Sequence, residues 1–486
     1  MAAFGIGNWW SPQGPQTGGQ ADPYAQLHTA GLLAEYRLDE GSGTTVTDRA
    51  GGHDIDLTDT AKNPNLTWTG RGVRTEAGKL ETPTITGART IVFLYRDNAL
   101  QNAGHVVSGG SSSSDGWYGT TVRDFEEHWI GQGRGVTKLV VRSGGSSVYP
   151  LQTGGWRVGF RELGGPTNSA FAFGGRQNST SSRCPDYEVA WIGIYDDVLN
   201  DAERAAIYGS MRQVAQSRGF YIDVRDCPAS ADALIMWGQS NIDGRALVGD
   251  IASGETSFST VKIGADGFGG MFDEGPAMAD LDIGTNQQAT NPALYFGPEL
   301  GIARAHVAAA AGRDLYLSKC AEGGTYMAPT SADVPVGKSW SIEETFSAAG
   351  VWRDALPHLL RHIAQGLDLG IGLEVKALLW MQGDADTEGP ATADLWANEF
   401  EKLVDTLRVA IGSPTLKIVV ARISDRLSPT DPAAFATVRA AQVVGGAGGV
   451  IDVVVDTDPF SMASVDHLDA DGQLALGNAF YAAAYA

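Results

Sequence analysis

A serine hydroxyl attacks an ester only when a neighbouring base takes its proton, and this chain offers a serine and an imidazole suited to that exchange. Ser240 stands in WGQSN at 237–241, straight after the apolar stretch ALIMW at 233–237. A strand followed by a glycine turn delivers side chains to the carboxyl edge of an open α/β sheet, where reactive groups gather. Gly238 permits a tight turn there, and the Asn241 side chain can brace it. Alone, this is a common strand-end turn, and Ile242 departs from the GxSxG nucleophile elbow. His467, in VDHLDADG at 465–472, precedes the last helical pattern. Near its ordinary pKa of about 6.5, an imidazole accepts a hydroxyl proton at neutral pH and returns it to a leaving alcohol.

Three more motifs carry groups of the right kind. FGPEL at 296–300 opens a helical pattern, KCAEGGT at 319–325 follows a strand around 315, and WMQGD at 380–384 follows an apolar strand at 375–379. Glycine amides and a side-chain amide at such turns are donors for the charge that builds on an ester carbonyl, worth roughly 3–4 kcal/mol each. Trp237 and Trp380 beside these turns either wall a sugar cleft or fill the strand-end core. DADG at 469–472 reads as a helix N-cap, because the spacing fails the twelve-residue calcium loop. His358 and His362 lack the HExxH pattern and read as surface or packing residues.

The elements that must position these groups fall into two textures. From 231 to 486 apolar strands (233–237, 315–318, 375–380, 416–421, 453–455) alternate with amphipathic helices (299–311, 359–366, 395–409, 433–444, 471–483). That pattern predicts a three-layer α/β domain with a parallel sheet. From 28 to 217 short β runs (90–95, 139–141, 189–195) between Gly/Ser/Asn/Asp turns predict an all-β sandwich, joined by a linker at 218–230. Residues 1–27, rich in Gly, Pro and Gln and carrying Phe4, Trp9 and Trp10, form a tail that is either a disordered leader or an anchoring segment.

Composition narrows the function classes. The 486 residues hold 35 Lys+Arg against 57 Asp+Glu, a formal charge of −22, which disfavours nucleic acid as a partner. No apolar run approaches the ~18 residues of a membrane span, and no Lys or Arg precedes Arg37, which disfavours membrane insertion and Sec-type export. Cys184, Cys227 and Cys320 are too few and too widely spaced for a disulfide framework or zinc cluster.

The C-terminal motifs GQSN, GPEL, GGT, WxQG and a late His, in that order, resemble the SGNH hydrolase superfamily, in its sialate O-acetylesterase and acetylxylan esterase branch. The resemblance implies a cofactor-free carbohydrate O-acetylesterase acting on an acetylated oligosaccharide or polysaccharide. Ser240 would be nucleophile and His467 general base, with the amides of Ser240, Gly323 and Gly324 and the Gln382 side chain as oxyanion hole. The acid is where this chain departs from the superfamily. The usual Asp three residues before the catalytic His is Ser464 here. Asp384, at the Glu position of WxQGE, is the first candidate to orient His467, Asp466 the second, and a dyad using Ser464 or a backbone carbonyl the third. In the all-β texture, AEYRLDEGSGTT at 34–45 and VAWIGIYDDVLNDAERAAIY at 189–208 resemble the concanavalin A-like, laminin-G-type jelly roll. Phage tail fibres and tailspikes combine such parts, which suggests a virion tail protein attached through residues 1–27; a cytoplasmic enzyme is the alternative location. The rival function is a catalytically inactive glycan-binding or structural virion protein, and self-association is left open.

Overall fold

The structure, a computed structural model, describes residues 22–75, 78–97, 107–109, 125–132, 135–142, 156–173, 187–265, 278–285, 293–342, 350–427, 429 and 431–486. Of the expected tail, residues 1–21 lie outside this set, as does Cys184. Tyr24 and Leu27 are buried against Trp191 and Phe220, so the ordered β unit begins before residue 28.

Among the described residues, the N-terminal part is all-β with one helix. Its large sheet uses β1 (Leu32–Tyr36), β2 (Leu66–Trp68), β3 (Val73–Thr75), β4 (Ile85–Asp97), β5 (Phe125–Gln132), β6 (Gly135–Arg142), β7 (Arg157–Ser169) and β8 (Tyr187–Tyr195), ordered β6-β5-β7-β4-β8-β3-β2 with β1 also on β8. β8 is buried at every position because both of its faces are covered. Ile192 and Ile194 face a core shared with Phe93 and with Leu80, Phe171 and Phe173 of a small three-stranded sheet. Trp191 and Tyr195 face α1 (Asp201–Ser217). Two sheets on one core make a sandwich; the described strands do not trace the full path of a jelly roll. α1 starts as its sequence dictates, with Asn200 capping the Ala202 and Glu203 amides while the Glu203 carboxylate returns to the Asn200 N–H.

The expected linker at 218–230 is a packed junction. Phe220 stacks on Trp156 with ring centroids 4.2 Å apart and joins the sandwich core, while Val224 enters the core of the C-terminal domain. Asp223, fully buried, is held by Arg212 and Arg225. Arg71 and Arg96 of the sandwich also reach Asp368 of the C-terminal domain, at 3.9 and 3.6 Å.

The C-terminal domain is α/β. In chain order it runs β9 (Ala229–Gly238), α2 (Ser240–Asp243), β10 (Ser257–Ala265), β11 (Ala279–Asp282), α3 (Glu299–Ala308), β12 (Leu315–Ala321), α4 (Val351–Asp368), β13 (Ile371–Met381), α5 (Trp396–Ala410), β14 (Lys417–Arg422), α6 (Pro432–Ala441), β15 (Val453–Asp456) and α7 (Ala470–Tyr485). Seven strands form one sheet ordered β11-β10-β12-β9-β13-β14-β15, parallel except for the β10–β11 pair. Alternation along β9 serves both faces: Ile235 and Trp237 pack with α4 and α5 residues such as Leu360 and Phe400, and Leu234 and Met236 with Leu300 of α3 and Phe480 of α7. Trp237 and Trp380 are wholly buried in an aromatic cluster with Trp340, so they are core and wall no cleft.

The chain leaves β9 for β10 and β12 on one side and returns to build β13 to β15 on the other. This makes the carboxyl end of β9 a topological switch point, where open sheets place ligands. The register matters as much as the order. Gly238 is level with Ala321 of β12 and with Met381 of β13, so the turns after all three strands emerge side by side.

Candidate active site

Ser240 begins α2 directly beyond β9 and is 7% exposed. The turn that presents it requires glycine at 238, which has φ +153° and would drive a Cβ to 2.1 Å from the Met381 carbonyl oxygen. The Gln239 N–H donates to that same carbonyl at 2.9 Å. The Gln239 side chain then spans to the β13 turn, accepting the Gly383 N–H at 3.2 Å and donating to Asp384.

Asn241 fixes the imidazole segment. Its Nδ2 donates to the Asp466 carbonyl at 2.9 Å and its Oδ1 accepts the Leu468 N–H at 3.0 Å, bracketing His467. Gln473 of α7 donates to the Asn241 carbonyl at 3.1 Å, closing the link between the Ser240 turn and the final helix. Asp469 caps α7 by accepting the Gly472 N–H at 2.9 Å, as its sequence position implied.

Of the candidates for the acid, the second and third stand beside the imidazole. Asp466 Oδ1 lies 3.2 Å from His467 Nδ1, and the Ser464 hydroxyl donates to that carboxylate at 2.6 Å while lying 3.5 Å from the ring nitrogen. Asp384 instead accepts from Gln239 and lines a cleft with Asn241, Ser424, Leu427, Met462 and Asp466. Its crowded surroundings push its carboxyl up to about 7; burial is the larger cause and the Asp466 charge adds to it, opposed by the Gln239 hydrogen bond. Burial also holds His467 below the ordinary imidazole value. The Asp466 charge opposes that shift and Arg245 reinforces it.

Backbone amides at this sheet edge have no acceptor among the described residues. Among the described residues, neither the Ser240 nor the Gly323 N–H donates inside the protein. A Cβ at position 323 would sit 3.8 Å from Ser240 Cβ and 3.0 Å from Arg245 Nη2, so glycine, serine and guanidinium share one spot. Gly324 has a left-handed conformation, φ +66°, with open space around it, and among the described residues its N–H likewise donates to no group of the protein. Lys338 holds this turn through the Gly323 carbonyl at 3.0 Å and Glu322 at 2.5 Å.

Gln382 is not available as the third donor. Fully buried, its Nε2 donates to the Thr325 carbonyl at 2.7 Å and to Asp386, and its Oε1 accepts from Trp396 at 2.9 Å. It is a post under the 325–327 loop, whose Met327 N–H Asp386 also accepts at 3.0 Å. Among the described residues no hydrogen bond joins Ser240 Oγ to the His467 ring. Among the described residues no group of three or more His, Cys, Asp or Glu is arranged to hold a metal ion.

Sequence reasoning passed over Arg245, Lys338 and Gln473. The available signal for Arg245 was a cation five residues after the serine in a strongly acidic chain; Lys338 and Gln473 carry none that spacing reveals.

A parallel sheet with a serine, an imidazole and free backbone amides at its switch point fits an α/β esterase. More particularly, the chain belongs to the carbohydrate esterase, sialic acid-specific acetylesterase family, whose model matches residues 230–486. Among solved structures it is similar to a protein from Arabidopsis thaliana (20% identity, TM-score 0.39, covering 53% of this chain and 98% of that one). NanS gives 14% identity and TM-score 0.39 over 53% of this chain and 98% of its own. A carbohydrate acetylesterase from Xanthomonas citri gives 11% and 0.35 over 76% and 70%. No curated protein matches the chain.

Proposed function

We propose that the protein is a serine esterase that removes acetyl groups from hydroxyls of a carbohydrate, with a sialic acid-type sugar the first substrate to test because the family is described by it. Ser240 Oγ attacks the acetyl carbonyl as His467 takes its proton, and the resulting oxyanion accepts hydrogen bonds from the Ser240 and Gly323 amides. Collapse breaks the ester bond, and the sugar oxygen leaves with the proton from His467. Water, deprotonated by His467, then attacks acetyl-Ser240; Ser240 recovers its proton and acetate departs.

Asp466 orients the imidazole in this scheme, with its carboxylate on Nδ1 so that Nε2 faces the serine. Ser464, standing where the superfamily has its acid, serves that carboxylate through its hydroxyl. The observation that carries the reading is the Asn241 bracket, which ties the residue after the nucleophile to both neighbours of the imidazole. We assign the sandwich the part of a concanavalin A-like module that holds the polymer near the esterase domain.

The test is labelling of the purified full chain with a fluorophosphonate, with peptide mapping, alongside acetate release from O-acetylated sialic acid and from acetylated xylo-oligosaccharide. Label on Ser240 with acetate release from a sugar is expected. A folded protein that takes no label, or takes it elsewhere, overturns the proposal and favours the inactive binding protein.

A further inference from the structure

FGPEL and the lysine that opens KCAEGGT have no part in this mechanism, yet they meet directly beneath it. Lys319 of β12 and Glu299 of α3 are both wholly buried, with Nζ to Oε2 at 2.8 Å. The ammonium has a second partner, the carbonyl of Asp243, at 3.0 Å. The other carboxylate oxygen accepts the Gly297 N–H at 2.7 Å, locking the pair to the start of α3.

Asp243 is the last residue of α2 and Ser240 the first. A helix of one turn does not hold itself together, since nucleation is costly and its terminal carbonyls lack partners. The direction of the Ser240 amide and hydroxyl therefore depends on what grips the far end of the turn. Lys319 is the buried grip there, a cation hydrogen-bonded to the terminal carbonyl, while Arg245 pairs with the Asp243 carboxylate at 3.0 Å. Stability is a poor explanation for burying such a pair, because apolar replacements of buried ion pairs are often neutral or stabilising.

Resting on the assignment of Ser240 as nucleophile, we propose that the Lys319–Glu299 pair is a positioning device for the nucleophile turn. Lys319 fixes the carbonyl end of α2, and Glu299 neutralises the ammonium and ties it to α3. Neither residue touches the substrate.

The experiment compares Lys319→Met, Glu299→Gln and the double variant Lys319→Met/Glu299→Leu with the unaltered full chain. It reads melting temperature, kcat and KM on an aryl acetate, and the rate of fluorophosphonate labelling. Lys319→Met strands a buried carboxylate and is expected to melt lower; the apolar double variant recovers the melting temperature. In the double variant, kcat and labelling rate are expected to stay down by about 10²-fold with KM unchanged, the cost of a misplaced reacting group. Glu299→Gln conserves size and polarity, but its single amide oxygen serves only one of Gly297 and Lys319; it is expected to fold, with kcat lowered and KM held. Recovery of kcat together with melting temperature in the double variant, or unaltered kcat in a folded Glu299→Gln, overturns the proposal. Absence of labelling in the unaltered chain would instead remove the nucleophile assignment itself.

Discussion

Asn241 donates to the carbonyl of Asp466 at 2.9 Å, so the residue after the proposed nucleophile holds the residue before the proposed base. The two are 225 positions apart in sequence, and the bond bridges the start of α2 to the loop entering α7. Asn241 is 1% exposed, and its loss leaves the Leu468 N–H without a partner. Asn241→Leu is expected to lower kcat by about 10²-fold through misplacement of the imidazole, and to destabilise the fold by about 1–3 kcal/mol. Steady-state kinetics with denaturant unfolding checks both, and a variant with unaltered kcat would deny the bracket a catalytic purpose.

The two charges acting on His467 predict opposite pH shifts. Asp466 raises the imidazole pKa and Arg245 lowers it. The base works when neutral, so activity rises with pH through its pKa. Asp466→Asn is therefore expected to move the acidic limb of kcat/KM to lower pH while reducing the plateau, and Arg245→Gln to move it to higher pH. Profiles of both variants on a neutral aryl acetate are the check. Shifts of the same sign would mean that one of these residues does not act on His467.

Asp384 is expected to act on stability more than on catalysis. Its folded pKa of about 7 stands above the unfolded carboxylate value of 3.8. The folded state therefore binds the proton more tightly, and this carboxyl's contribution declines as pH rises from 3.8 through about 7. Asp384→Asn keeps an acceptor for Gln239 and is expected to match the unaltered chain near pH 4 and to melt higher above pH 7. Melting curves across that range decide it. A catalytic loss equal to that of His467→Ala would restore Asp384 as the third member.

Phe220 is 1% exposed and stacked on Trp156, so Phe220→Ala is expected to cost about 3–5 kcal/mol in the sandwich transition. Chemical denaturation followed by tryptophan fluorescence measures it. A cost under about 1 kcal/mol would return residues 218–230 to the status of a linker.

What sequence revealed and what it hid follow from range. β9, β12 and β13 announce themselves as apolar runs ending in glycine turns, which is enough to place Ser240 and Gly323 on one sheet edge. β10 and β11 went unread: SFSTVKIGA and ADLD are too polar and too short to stand out. Residue type suggested Gln382 as an oxyanion donor, but Thr325, Asp386 and Trp396 consume its amide, and two of those partners are 57 and 14 positions away. Spacing against a familiar motif favoured Asp384 over Asp466, because no periodicity reports that the 463–468 loop folds a carboxylate back onto the next residue's ring. Lys319 and Glu299, 20 positions apart, meet only once β12 and α3 are packed.

The central claim is that Ser240 is the nucleophile, and its most direct test is turnover by Ser240→Ala. The purified full-length variant and the unaltered chain are compared on an aryl acetate and on an O-acetylated sugar, with melting temperature as the control for folding. A fall in kcat on the order of 10⁴-fold or more on both substrates, at an unchanged melting temperature, is the expected result. Undiminished turnover by a folded Ser240→Ala protein would contradict it.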